Sequence, residues 1–358
     1  MIKKNLTPTL FLVLILCLTQ LYCNTQVNFN DFVPKKMNFP TQNIDYRLYV
    51  IRLKNGEILV LSERGGEGNW AYAKEGDEKF TEVSFPLEPK ARCWQTKYAI
   101  YESMPDGRIM VWKDCSSRSG EGTPSTTITS LLTYNIEDKH LIEIISSLPS
   151  GASSASWNPE MTKAIAYYQN SFSSATLYWV LEDGHEPADI EIGNVEHSWN
   201  LKDDFPDFAG AKTGATGNTG RASWSPDGNS IAFFASPDAI GVTGWSRFHV
   251  EYSLYIMSPE SLDAHPVHEN IYSPFLLQWS PNSKYIAFIR QSGLGKQDGV
   301  WLYSLDTDTL TLISKGDFSS LAWKADGNNL VAVRCDEVEV LTCEIIEEYD
   351  ISKAISNP

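Results

Sequence analysis

The amino-acid sequence predicts an all-β protein, a six-bladed β-propeller with four-stranded antiparallel blades. The first observation is a repeated phrase in which a tryptophan precedes a tight turn and a short apolar strand. The phrase begins at Trp157, Trp224, Trp279 and Trp323, at intervals of 67, 55 and 44 residues. The second is the composition, with 12% aromatic residues and 11 tryptophans, which is typical of β-sheets. Repeats of this length indicate an array of small units rather than one conventional core.

Each repeat divides into four strands, named a to d in chain order, with short a–b and c–d turns. We expect the six blades to occupy residues 46–350. The repeated tryptophans should fill the space between neighbouring blades, where burial of each contributes about 2–3 kcal/mol. Asp227 and Asp326 recur in the a–b turn, where an aspartate accepts hydrogen bonds from backbone N–H groups two residues on.

The last blade lacks an outer strand of its own. Leu321 to Trp323, Leu330 to Cys335 and Thr342 to Asp350 supply strands a, b and c, and residues 351–358 form a C-terminal tail. An incomplete blade leaves an exposed sheet edge. We therefore expect the N-terminal segment, residues 24–45, to close the ring with a strand from residues 26–33. A seven-bladed ring is the alternative.

The N-terminus, residues 1–23, has the pattern of an export signal. Lys3 and Lys4 form a basic head, and an apolar run from Leu10 to Leu18 follows, which is too short to span a bilayer. We expect cleavage after Cys23 and a secreted or periplasmic protein. Lipidation of Cys23 is the alternative. No later segment is apolar enough to cross a membrane.

Four cysteines follow the signal, and an even number in an exported chain indicates two disulfides. Cys93 and Cys115 flank one predicted hairpin, while Cys335 and Cys343 flank a shorter turn. Residues that flank a hairpin lie opposite each other, so the predicted pairs are Cys93–Cys115 and Cys335–Cys343.

The charge excludes one class of partner. The full chain carries a net charge of -16, and without residues 1–23 it has 27 basic and 45 acidic residues. An acidic protein repels phosphate backbones, so nucleic acid is not expected as a partner.

We expect a monomer without a cofactor.

Loop lengths point to one face of the ring. The b–c and d–a connections are long and would emerge together, which is typical of functional loops. Acidic and aromatic residues recur in two of them and form a hypothetical ligand-binding set: Trp199, Asp203, Asp204, Phe205, Asp207, Trp245, Arg247 and His249. A plug over the central channel is the alternative for residues 196–208. The three aspartates could also hold Ca²⁺, although the spacing of a calcium loop is missing.

The phrase Trp-Ser-Pro-Asp-Gly followed by Ile-Ala-Phe, from Trp224 to Phe233, resembles the TolB-like, WD40-related (PD40-type) propeller repeat. The resemblance covers about residues 90–345 and implies a six-bladed propeller that is usually exported and used for binding. TolB carries a separate domain before its propeller, whereas only about 20 residues precede the first blade here, so its envelope role is not transferred. The repeat also precedes the hydrolase domain of prolyl oligopeptidase-like peptidases, but this sequence has no Gly-x-Ser-x-Gly and is expected to end with its propeller.

These observations predict a non-enzymatic recognition module that binds a protein, peptide or glycan on the long-loop face. The alternative is a propeller hydrolase, a glycosidase or lactonase-like enzyme, with acidic residues or a metal in the central channel. A third hypothesis is a stand-alone propeller that partners a separately encoded hydrolase. Ser246, His249 and Asp203 could be assembled into a triad, but nothing in their spacing marks one.

Overall fold

The structure is a computed structural model. It describes the following residues: 32–40, 48–64, 69–86, 93, 95–117, 127–148, 152–169, 174–180, 195–199, 218–219, 222–236, 251–261, 264–272, 274–291, 298–336 and 342–352. All 25 elements in this part of the chain are β-strands. No helix there is long and apolar enough to cross a membrane.

Three sheets come from the first half of the chain, preceded by a short strand, β1 (Lys35–Lys36). Sheet 1 holds β2 (Leu48–Arg52), β3 (Ile58–Arg64), β4 (Asn69–Lys74) and β5 (Thr81–Ser84). Sheet 2 holds β6 (Gln95–Ser103), β7 (Ile109–Ser116), β8 (Thr127–Asn135) and β9 (His140–Leu148). Sheet 3 holds β10 (Ala152–Trp157), β11 (Lys163–Gln169), β12 (Ser174–Val180) and β13 (Val195–Trp199).

The second half forms three more sheets. Sheet 4 holds β14 (Asn218–Thr219), β15 (Ser223–Trp224), β16 (Ile231–Ser236), β17 (Glu251–Met257) and β18 (Ala264–Tyr272). Sheet 5 holds β19 (Pro274–Trp279), β20 (Tyr285–Arg290), β21 (Gly299–Ser304) and β22 (Thr309–Lys315). Sheet 6 holds β23 (Asp317–Trp323), β24 (Asn329–Asp336) and β25 (Thr342–Asp350), and β1 joins it as its outer strand.

Every sheet is antiparallel, and neighbouring strands follow one another in sequence except where β1 pairs with β25 and β14 pairs with β16. Strands buried on both faces are continuously apolar, as in β20, where every residue from Tyr285 to Arg290 is buried. The outer strand β5 instead alternates between half-buried and exposed residues, because one of its faces meets solvent. The sequence pattern thus orders each sheet from a buried inner strand to an exposed outer strand.

Five sheets have the predicted four strands, whereas sheet 4 has five. The prediction of six four-stranded blades is therefore correct for five sheets and wrong for sheet 4. The difference lies in its inner strand, which is divided into β14 and β15, both paired with β16. Between Thr219 and Ser223 the inner side advances four residues, while β16 advances three, from Ala235 to Ala232. The extra residue interrupts the ladder in the manner of a β-bulge.

The same irregularity recurs in other sheets. Register shifts interrupt the pairing of the inner strands β6, β10, β19 and β23 with their neighbours. In sheet 5 the shift lies between Phe275 and Leu277, and Leu276 has a positive φ of 56°. A bulge increases local twist, which helps a sheet to diverge from its neighbour around a ring.

The N-terminal segment completes sheet 6, but with a different strand from the one predicted. β1 pairs with β25 through Lys35 opposite Glu348 and Lys36 opposite Glu347. Val33, within the predicted strand, is 81% exposed, and residues 26–31 lie outside the described part of the chain. The closing strand therefore begins after the predicted one, because the buried apolar side chains that anchor the segment are Met37 and Phe39.

The first residue of the predicted C-terminal tail packs into the core. Ile351, assigned to the tail, is fully buried, and its backbone N–H donates to the carbonyl of Asn328 at 2.9 Å. It packs in the cluster that joins sheets 5 and 6, with Phe318 and Trp323. The apolar side chain of Ile351 is the sequence feature that indicates this burial.

Serine side chains join the inner strands of adjacent sheets. The hydroxyl of Ser320 in sheet 6 accepts from the Val50 N–H at 3.0 Å and donates to the Val50 carbonyl at 3.3 Å. This pair connects the last sheet with the first. Between sheets 3 and 4, the backbone N–H of Trp224 donates to the Ser156 hydroxyl at 2.9 Å. These bonds satisfy backbone groups that inner strands would otherwise leave unpaired.

Two of the repeated tryptophans also join neighbouring sheets. The indole N–H of Trp279 donates to the Ser223 carbonyl at 2.9 Å, and that of Trp323 donates to the Gln278 carbonyl at 3.2 Å. The Trp279 ring is buried among apolar residues of sheets 4 and 5, and the Trp323 ring among those of sheets 5 and 6. Each indole therefore contributes both apolar burial and one directed bond to its junction.

Both predicted disulfides are confirmed. Cys93 pairs with Cys115, and Cys335 pairs with Cys343, with Cα atoms 5.2 and 3.8 Å apart, respectively. Cys115 lies near the end of β7, while the second pair joins the end of β24 to the start of β25. Both bridges thus lie opposite the a–b turns.

Candidate functional site: a cavity at the short-turn end

The inner strands of all six sheets point their C-terminal ends at one cavity. Its volume is about 520 Å³, within the range of small-molecule sites. The a–b turns that follow these strands form its rim, and we call this side of the protein the short-turn end. The lining residues come from each sheet in turn: 51–54 and 56, 102–105, 156–157 and 159, 223–226, 277–279 and 281, and 325. A cavity shared in this way lies at the centre of the arrangement of sheets.

The turns of the rim pack directly against one another. Gly56 has a φ of +86°, and a Cβ added there would lie 2.4 Å from the Cβ of Ala325 in the turn of sheet 6. Gly107 has a φ of +92°, and a Cβ there would lie 2.8 Å from the Cβ of Lys54 in the turn of sheet 1. Glycine is required at both positions because the conformation and the close approach exclude a side chain.

Aspartates hold two of these turns in shape. Asp227 accepts hydrogen bonds from the Ser225 hydroxyl at 2.6 Å and the Asn229 N–H at 3.1 Å. Burial acts to raise the pKa of Asp227, but these hydrogen bonds outweigh it, and the pKa falls below its usual value. Asp326 accepts from the N–H groups of Asn328 and Asn329 at 2.9 and 3.0 Å. Their geometry is that of turn caps.

Three charged residues contribute to the lining, namely Arg52, Lys54 and Glu102. Lys54 lies exposed on the rim, whereas Arg52 and Glu102 are half-buried. The described lining residues therefore carry a net charge of +1, although the whole chain carries -16. A local positive site in an acidic protein is a specific feature rather than a consequence of composition.

Arg52 is the last residue of β2, and its backbone is held firmly. Its carbonyl accepts a hydrogen bond from the Ser103 hydroxyl of sheet 2 at 2.5 Å. Within the part of the chain that the structure describes, its guanidinium makes no hydrogen bond and no ion pair. Burial lowers the pKa of Arg52, and no carboxylate among the described residues counteracts this effect. The positive charge is thus partly desolvated without a described counter-ion.

Other basic side chains of the same turns have acidic partners. Arg108 Nε lies 2.6 Å from Asp106 Oδ2, and Lys324 Nζ lies 2.7 Å from Glu348 Oε1. Arg334, a half-buried arginine of sheet 6, also pairs with a carboxylate. Arg52 differs from these cations in facing a cavity instead of a carboxylate.

Among the sequence-predicted binding residues, the structure describes only the backbone of Trp199. Trp199 is the last residue of β13, where it pairs with Thr176, so its backbone belongs to a strand and not to a loop. Strand d of sheet 3 is thus Val195–Trp199. The remaining predicted residues lie outside the described part of the chain: Asp203, Asp204, Phe205, Asp207, Trp245, Arg247 and His249.

The repeated tryptophans, by contrast, lie beside the cavity. Trp157, Trp224 and Trp279 are at least 94% buried and contribute to its lining, while Trp323 is fully enclosed between sheets. Sequence reasoning missed Arg52, because the sheet 1 repeat lacks the tryptophan phrase and the arginine is one of many charged residues. The signal available was a cation in an otherwise apolar inner strand, directly before the turn at Gly56.

The described residues offer no candidate metal site. Among the residues that the structure describes, no three histidine, cysteine or acidic side chains come together in a group that could hold a metal ion. The three aspartates considered for Ca²⁺ lie outside those residues, so that hypothesis stays a prediction.

Comparisons with known proteins agree on the fold. No protein-family model matches the sequence, and no curated protein is similar to it in sequence. Among solved structures, TolB from Acinetobacter baumannii is similar with a TM-score of 0.50 and 11% identity, over 84% of this chain and 62% of TolB. A puromycin hydrolase has a TM-score of 0.54 and 14% identity, over 89% of this chain and 46% of the hydrolase.

An oligogalacturonate lyase in complex with manganese is matched over nearly its whole length. Its TM-score is 0.50 at 9% identity, over 91% of this chain and 97% of the lyase. By contrast, the chain spans less than two thirds of TolB and under half of the hydrolase. Identities this low establish the fold and not the activity. The protein is therefore a β-propeller with the fold of the TolB-like propellers.

Proposed function

We propose that the protein is an exported, non-enzymatic recognition module that binds a protein, peptide or glycan. The observation that carries the proposal is the cavity at the short-turn end, where all six sheets contribute to one concave, partly apolar surface. Sites of this size with a few convergent polar groups are typical of ligand binding. We take the five-stranded sheet as the sixth blade, because it contributes residues 223–226 to the same lining.

Binding is favoured over hydrolysis by the charges around the cavity. A glycosidase of the common type uses two carboxyl groups on either side of the scissile bond. The described lining residues include one acidic side chain, Glu102, together with the cations Arg52 and Lys54. This balance suits recognition of a ligand better than acid–base chemistry.

Export is supported by the two disulfides, since such bridges persist in oxidising compartments. The apolar run from Leu10 to Leu18 has the length of a signal core, which supports the same conclusion. Cleavage after Cys23 is the proposed route, and lipidation at that residue is its alternative. Mass spectrometry of the N-terminal peptide of the exported protein decides between the two.

The function is tested with residues 24–358 in parallel binding and turnover assays against peptide and envelope-glycan panels. Equilibrium binding without product formation supports the proposal, and product formation from any bound ligand overturns it in favour of the hydrolase. The binding face is tested by deleting residues 202–217, which belong to a connection predicted to be a long loop, and this deletion leaves β14 in place. Retained binding favours the cavity, and lost binding in a folded variant favours the long-loop residues, including Asp203 and Phe205.

A further inference from the structure

We propose that the cavity at the short-turn end binds a monocarboxylate with an apolar flank, and that the Arg52 guanidinium receives the carboxylate. This inference rests on the proposed recognition function and names the chemistry of its ligand. The carboxylate belongs either to a peptide C-terminus or to a free organic acid, and the experiment below distinguishes these sources.

The first argument is the state of Arg52 itself. Its guanidinium is half-buried and has no hydrogen-bond or ion-pair partner within the described residues. Removing a cation from water is costly unless an anion or several hydrogen bonds compensate for it. The rigid fork of guanidinium N–H groups matches a carboxylate in two parallel bonds. A bound carboxylate would supply the compensation that the described residues do not.

The second argument is charge complementarity. The described lining carries two cations, Arg52 and Lys54, and one acid, Glu102. One negative charge neutralises this balance, whereas a phosphate dianion would exceed it. The protein's strongly negative total charge also opposes highly charged anions at longer range. A monoanion is therefore the best match.

The third argument is the surface around the cation. The turns contribute proline rings to the lining, at Pro105, Pro159, Pro226 and Pro281, and Met104 adds an apolar side chain. Such rigid surfaces bury apolar groups at little cost in conformational entropy. They suit an apolar side chain next to the carboxylate and offer little to a fully hydrated anion.

The test uses three probes with the full mature chain, residues 24–358. One is a pool of N-acetylated tetrapeptides randomised among Leu, Ile, Val and Phe at the last two positions, with a free C-terminus. The second is the same pool as C-terminal carboxamides, and the third is hexanoate. Retention on the immobilised protein is measured by mass spectrometry for the peptides, and isothermal titration calorimetry is used for hexanoate.

The variant is Arg52→Gln, and Arg108→Gln is its matched control. Arg108 lies in the neighbouring turn, has its own partner in Asp106, and is not part of the lining. Both variants remove one positive charge from the short-turn end, so a difference between them cannot come from net charge. We expect the peptide acids to bind at least about tenfold more tightly than the amides. We also expect Arg52→Gln, but not Arg108→Gln, to abolish this preference.

Arg52-dependent binding of hexanoate with no peptide binding supports the same site with a free acid as ligand. Equal retention of acids and amides, or acid binding that survives Arg52→Gln, overturns the carboxylate site and leaves the recognition function intact. Absence of Arg52-dependent binding for every probe also overturns the carboxylate site. Turnover of a bound probe overturns the proposed function instead, so the two failures are distinguishable.

Discussion

Two half-buried arginines, Arg52 and Arg334, make opposite predictions for stability. Arg334 donates from Nε to Glu347 Oε2 at 2.8 Å and from Nη1 to the Lys315 carbonyl at 2.8 Å. Its guanidinium also lies over the Phe318 ring, 4.7 Å from the centroid. Arg52 has no comparable partner among the described residues. Replacing each by Gln removes the same charge from very different surroundings.

The expected magnitude for Arg334→Gln follows from what remains. The Glu347 side chain, 12% exposed, would lose its cation, although the Tyr349 hydroxyl would still donate to it. Leaving a largely buried carboxylate without its cation costs about 2–4 kcal/mol, and the lost cation–π contact adds about 0.5–1 kcal/mol. Arg52→Gln should change the free energy of unfolding by less than about 0.5 kcal/mol, or raise it, because desolvation of an unpaired cation is relieved.

The assay is urea denaturation followed by tryptophan fluorescence, which the 11 tryptophans make sensitive. The midpoint should fall clearly for Arg334→Gln and stay near the parent value for Arg52→Gln, with unchanged slopes. If Arg52→Gln destabilises the protein as much as Arg334→Gln, then Arg52 has a structural role and the reasoning for a ligand fails.

Three further predictions concern the junctions of the ring and its pH response. Trp323→Phe should lower the free energy of unfolding by about 1–2 kcal/mol more than Trp157→Phe, because the Trp323 indole donates a described hydrogen bond and the Trp157 indole does not. Equal losses of stability in urea denaturation would contradict this. Gly56→Ala should lower the free energy of unfolding by about 1–3 kcal/mol more than Gly76→Ala, since both glycines have positive φ but only Gly56 contacts a neighbouring turn. Similar melting temperatures for the two variants would refute the close packing of the rim. Burial lowers the pKa of His268, so the unfolded chain binds a proton at this residue more readily, and the free energy of unfolding should decline as the pH falls below about 6.5. His268→Asn should flatten that part of the pH profile of stability, and an unchanged profile would show that another group is responsible.

Much of the fold could be predicted because the repeat encodes it locally. The apolar strand from Tyr285 to Arg290 directly follows the tryptophan phrase of Trp279, and the turn at residues 280–283 fixes its start. Both disulfides followed from hairpin geometry. The inner-strand irregularities were not predictable, because a one-residue bulge reverses the alternation of side chains, and strands this short hold too few residues on either side to reveal the reversal.

The candidate site was harder to predict for a physical reason. The cavity brings together Arg52 and residues more than 200 positions away, such as Pro281. Only the closure of the ring makes these residues neighbours, and no local pattern records it. Loop length predicted a site on the long-loop face, whereas the cavity lies at the short-turn end, beside turns such as the one at Gly56.

The central claim is that ligand enters at the short-turn end, and hydrogen–deuterium exchange with mass spectrometry tests it directly. The mature protein is compared with and without a saturating amount of the tetrapeptide acid pool. We predict slower exchange in residues 49–56, 101–107 and 223–228, with no change in residues 201–217 and 237–250. Protection confined to the latter two segments would contradict the claim and place recognition on the long loops.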